Sequence, residues 1–141
     1  MNIWKYNSTD TAQYLSLHDC DCKHIYSCKD KFIMEMEWME VLETHPDNSY
    51  NEIRQSGVGL IELLECDLIS CEISVGDETK SIKIFSEIEM KNLEVLDFLV
   101  EKCNECYKTK MYMINDVSKE EFYGISISLI FKHSLVRFNE L

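Results

Sequence analysis

A chain of 141 residues with 45% hydrophobic content has the size of one domain and can bury a single core, and its 11% aromatic content argues against disorder. The formal net charge is −12, from 26 acidic against 14 basic residues, with no Lys/Arg cluster to neutralise phosphates, so nucleic acid and anionic membranes are excluded as partners. A basic protein or a cation remains as the class of partner that such a surface attracts.

The amino-terminal stretch from Met1 to Ser8 has no apolar run of signal-peptide length, and no window approaches a membrane span, which predicts a cytoplasmic protein. The odd number of cysteines, seven, then predicts free thiols in a reducing compartment rather than a disulfide framework. Residues 1–19 read as an irregular arm whose Trp4, Tyr6, Tyr14 and Leu17 cover an edge of a single domain spanning 1–141. From Cys22 the pattern has period two, and Phe32, Met34, Met36 and Trp38 alternate with Ile33, Glu35, Glu37 and Met39. This predicts a hairpin of residues 22–28 and 31–41 joined at Lys29-Asp30.

Residues 43–51 hold the only proline and several Asx residues, and read as a long exposed connection. Strands follow over Val58–Glu65 and Ile69–Val75, with Gly76-Asp77-Glu78 turning the chain into Ile82–Ile84. Met90, Leu93, Leu96, Val100 and Cys103 then recur at helical spacing behind a capping pair of Ser86 and Glu89, which predicts an amphipathic helix near 87–103. Lys108–Ile114, Tyr123–Lys132 and a short segment through Leu135, Val136 and Phe138 return to strand character. The expected fold is α+β, with a mostly antiparallel, strongly bent sheet or partial barrel of about seven strands and that one helix.

Chemistry-bearing residues concentrate in His18-Asp19-Cys20-Asp21-Cys22-Lys23-His24. On a regular strand the even positions Cys20, Cys22, His24, Tyr26 and Cys28 share a face. At about 3.3 Å per residue, His18 and Cys28 lie roughly 33 Å apart, so one strand offers an ion at most two neighbouring ligands. A zinc or iron site on His18, Cys20, Cys22 and His24 therefore requires donors from other strands. Cys103-Asn104-Glu105-Cys106 has redox spacing, yet the expected helix would end there, where its dipole opposes the thiolate, so redox catalysis is not expected. No nucleophile elbow or Gly-rich oxyanion turn is present, and the chain reads as a non-enzyme. Glu35, Glu37, Trp38 and Glu40 form an acidic, aromatic-edged run suited to a basic protein partner.

The Leu17-His18-Asp19-Cys20 opening, leading into a hairpin and then the His45-Pro46 loop, resembles small uncharacterised bacterial proteins that begin with Leu-His-Asp followed by Cys or Ser. In size, acidity and α+β build the chain is similar in type to the immunity proteins that neutralise contact-dependent or polymorphic toxins. That resemblance implies a binding role without an active site, as an inhibitor of a basic toxin domain, and assigns no individual residue. A cytoplasmic acidic interaction protein without catalysis is thus the expected function. The alternatives are a metal-binding protein built on the Cys/His cluster and a structural, self-associating domain.

Overall fold

The computed structural model describes residues 3–115 and 121–141. Twelve strands follow one another: β1 (Tyr6–Thr9), β2 (Leu15–Ser16), β3 (Asp21–Cys28), β4 (Lys31–Met36), β5 (Glu40–Val41) and β6 (Arg54–Leu64). They continue with β7 (Asp67–Val75), β8 (Glu78–Ser81), β9 (Glu89–Cys103), β10 (Cys106–Asn115), β11 (Tyr123–Phe131) and β12 (His133–Glu140). Among the described residues every pairing is antiparallel, and the main path runs β1-β12-β6-β4-β3-β9-β10-β11-β7-β8, with β1 and β8 at its ends.

No α-helix occurs among the described residues; two three-residue 3-10 turns, Ala12–Tyr14 and Phe85–Glu87, are the only helical elements there. The expectation of an α+β fold with about seven strands is therefore corrected to a nearly all-antiparallel sheet of twelve. The segment read as a helix near 87–103 is the long strand β9, flanked by β3 and β10. Its core-facing residues are Met90, Leu93, Val95, Phe98 and Val100, a spacing of three, two, three and two. Two breaks in the alternation produce this: Asn92 sits at φ +59°, and Leu96 is an extra residue between the Val95–Met113 and Asp97–Tyr112 pairs. A bulge shifts the phase of a strand by one residue, and two such shifts imitate the helical period.

The hairpins are tight. Cys28 pairs with Lys31, Val75 with Glu78 and Cys103 with Cys106, each across two residues, and the first loop residue is left-handed in all three: Lys29 at φ 60°, Gly76 at 58° and Asn104 at 55°.

Inward residues from the central strands, including Ile25, Phe32, Met34, Ile61, Leu63, Met113, Ile127, Phe131 and Val136, form one buried cluster. A single sheet can bury one face in this way only by curving around it. The 3-10 turn Ala12–Tyr14 confirms the curvature, because it touches both β9 and β12. Those strands are four places apart in the sheet order and would lie about 19 Å apart if flat.

The arm that produces this bridge is more ordered than the irregular segment expected for residues 1–19, of which residues 1 and 2 lie outside the described residues. β1 adds to β12, Ala12, Leu15 and Leu17 are buried, and Asp19 and Cys20 bond to the backbone of Val95 beside the bulge. Among the described residues no helix is long and apolar enough to cross a membrane.

β4 and β5 both pair with β6, so they form one strand interrupted at Glu37–Met39. Met39 points inward, is fully buried and lies against Gly59, where an added Cβ would come within 2.5 Å of its Cε. Ser56 holds the interruption from below, with Met39 N–H donating to Ser56 Oγ at 3.0 Å and Ser56 N–H to Met39 O at 2.8 Å.

Candidate functional site

The four residues singled out as metal donors are placed in three different environments. β3 carries a bulge at Lys23, because Cys22 pairs with Met36 but His24 pairs with Glu35. Cys22 consequently faces the core with Ile25, while His24 and Tyr26 face outward, so the even-numbered face expected on a regular strand does not form. Cys20 and Cys22 are buried, and burial pushes both thiols up to about 12. Such thiols act as small apolar groups.

His18 is exposed, and its Nδ1–H donates to the carbonyl of Leu96, the bulged residue of β9, at 2.6 Å. That bond, with Asp19 beside the ring, raises the His18 pKa. His24 lies between two carboxylates, with Glu35 at 3.3 Å from Nδ1 and Glu89 at 2.8 Å from Nε2. It ties β3 to both of its neighbours on the outer face. Among the described residues no group of three or more His, Cys, Asp or Glu side chains is arranged to hold a metal ion.

The acidic run is likewise divided. Glu35 is engaged by His24, and Glu40 sits on β5 opposite Ser16. Glu37 and Trp38, at the interruption after β4, reach a different neighbourhood. Glu37 N–H donates to Asp21 O at 2.9 Å, and Trp38 Nε1–H donates to Asp21 Oδ2 at 3.3 Å. Asp21 in turn pairs across the β3–β9 ladder with Glu94.

Asp21, Glu37 and Glu94 therefore line a common groove of about 440 Å³, together with Leu93, Asn92, Ile114 and Asn115 and, among the described residues, with no Lys or Arg. Trp38 is tied to the groove through its bond to Asp21. Asn115 on the far wall donates to Glu121 O at 2.8 Å and accepts from Tyr123 N–H at 3.0 Å. Three carboxylates beside the half-buried Ile114 suit the ammonium or guanidinium end of a long basic side chain, whose stem packs on Ile114.

Of the residues gathered here, the sequence alone singles out Glu37 and Trp38 but not Asp21 and Glu94. Asp21 stood inside the supposed metal cluster, and Glu94 lay on the polar side of the supposed helix. Their only joint signal is the pairing of β3 with β9, which brings together residues far apart in the chain.

A second and larger groove, of about 530 Å³, lies between the 42–53 segment and the ends of β1 and β12. Tyr6 and Phe138 stack at 4.8 Å on one wall, and Arg54 lies over the Tyr50 ring at 4.0 Å on the other. The segment is pinned by His45, which is buried edge-on against Phe138, with ring centroids 5.7 Å apart. Its Nδ1 accepts from Asp47 N–H at 3.0 Å, leaving Nε2 buried without a partner among the described residues. Asn48 clasps the stems by donating to Val41, Leu42 and Glu52 carbonyls at 3.0 to 3.1 Å. Arg54 with Glu52, and Lys5 with Glu140, balance charge here, so this groove lacks the one-sided field of the first.

No protein-family model matches the chain, and neither a curated protein nor a solved structure is matched by it.

Proposed function

We propose that the chain is a non-catalytic acidic binding protein, of the type of an immunity protein that inhibits a basic toxin domain, and that it receives a cationic side chain of its partner in the Asp21–Glu37–Glu94 groove. The observation that carries this reading is the convergence of three carboxylates in one groove, with no basic residue in its described lining, and the bond that Trp38 makes to one of them. The net charge of −12 adds a long-range field that accelerates encounter with a basic protein. A tryptophan beside a charged recess is a common centre of binding energy at interfaces.

The test is stopped-flow association with a panel of basic nuclease-type toxin domains across a salt series. For a cognate partner, Glu37→Lys and Glu94→Lys slow association by about tenfold or more at low salt and flatten the salt dependence. Trp38→Ala instead accelerates dissociation. Association rates unchanged by both charge reversals would reject the groove as the contact surface.

A further inference from the structure

The seven thiols are not equivalent. Cys20, Cys22 and Cys71 are buried and Cys66 is half-buried, and burial pushes their values up to about 11 or 12. The remaining three lie at the tips of hairpins. Cys28 is exposed opposite Lys31 and has no thiol across the ladder. Cys103 and Cys106 are exposed and half-buried, and they pair directly with each other across the β9–β10 turn.

Residues directly opposite on antiparallel strands point to the same face, with Cα atoms about 4.5–5.5 Å apart. A disulfide requires about 4.4–6.8 Å, so the backbone already holds the required separation. The Cys106 thiol donates to Cys103 O at 3.3 Å, which places its sulfur over the residue it would join. The turn that brings them together depends on Asn104 at φ 55°. The spacing first read as the end of a helix is thus a pre-formed cross-strand thiol pair.

We propose that Cys103 and Cys106 form a reversible disulfide by exchange with a low-molecular-weight disulfide. The thiolate of one cysteine attacks the small disulfide, forming a mixed disulfide and releasing one small thiol. The thiolate of the other attacks the protein sulfur of that adduct, closing the ring and releasing the second small thiol. The two protein thiols are oxidised by two electrons, the small disulfide is reduced to two thiols, and the two protons lost by the cysteines are taken up by the released thiolates. The ring is short and solvent-facing, which makes it a labile, readily reduced bond rather than a structural staple. It lies about 30 Å along β9 from Glu94, so it stands apart from the groove and from the partner proposed for it.

The test is to equilibrate the full chain in glutathione buffers of graded oxidised-to-reduced ratio, trap the thiols by acid alkylation and measure intact mass with peptide mapping. The expected product is a monomer that has lost two hydrogens, with a peptide cross-linked between Cys103 and Cys106, fully restored by dithiothreitol. Cys28→Ser leaves this product unchanged. Cys103→Ser abolishes it and accumulates a stable glutathione adduct on Cys106. Independent glutathione adducts on both Cys103 and Cys106 of the unmodified chain, or disulfide-linked dimers in place of the closed ring, would overturn the proposal.

Discussion

The interruption between β4 and β5 is held by Met39 filling the space that Gly59 leaves, and this pair gives a quantitative test of how the acidic segment is built. An alanine at 59 would place its Cβ 2.5 Å from Met39 Cε and 3.2 Å from Arg137 O, against ordinary carbon contacts of about 3.5–4.0 Å. Met39 is fully buried, so its methyl must move by about 1 Å into packed surroundings. Overpacking of this kind costs about 1–3 kcal/mol, offset by roughly 0.5–1 kcal/mol from the lower chain entropy of alanine. Gly59→Ala alone is therefore destabilising by about 1–2 kcal/mol, a fall in Tm of roughly 3–7 °C for a chain of this size. Met39→Ala alone opens a cavity and costs about 2–5 kcal/mol. In the double variant the new methyl group occupies part of that cavity, so the losses are less than their sum by about 1–2 kcal/mol. Urea unfolding of the four proteins measures this coupling. Additivity within about 0.5 kcal/mol would refute the claim that Met39 and Gly59 share one volume.

Burial holds the His45 pKa below its ordinary 6.5, so the unfolded chain binds more protons in this range and stability declines as pH falls through 6.5 toward the folded value. His45→Gln reduces the slope of urea midpoint against pH between 7.5 and 5, and an unchanged slope would remove His45 as its source. Protonating Nδ1 sets two donors face to face with Asp47 N–H, and amide hydrogen exchange in residues 45–50 is expected to rise before the global transition. Ellman labelling of the reduced native protein shows Cys28 and Cys103 reacting first and Cys106 next, with Cys20, Cys22 and Cys71 reacting only on unfolding. Early modification of Cys22 by peptide mapping would contradict its burial. Because the Cys22 thiol is raised from 9.0 to about 12, it contributes stability that is lost as pH rises above 9, up to a limit of about 4 kcal/mol, and Cys22→Ala flattens that alkaline decline.

What the sequence revealed depended on whether alternation was unbroken. β4 and β11 keep strict alternation over most of their length, and the Lys29-Asp30 link is an ordinary two-residue hairpin loop, so these elements were legible. β9 was not, because Asn92 and Leu96 each shift its phase and Ser86 with Glu89 mimics a helix start. The same kind of shift at Lys23 dissolved the cysteine and histidine face, sending Cys22 inward and His24 outward. In the groove, Glu37 and Trp38 stood out locally. Asp21 and Glu94 could be joined to them only through the β3–β9 register, a long-range property that bulges on both strands obscure.

The pairing of β1 with β12 also has a consequence for biosynthesis. Tyr6 stacks on Phe138 and finds its ladder partner there, so β1 cannot dock until residue 138 has been made. At about 5–20 residues per second the ribosome needs roughly 7–26 s to extend from one of these residues to the other. Throughout that interval Tyr6, which the finished protein packs against Phe138, is available to chaperones and to neighbouring nascent chains.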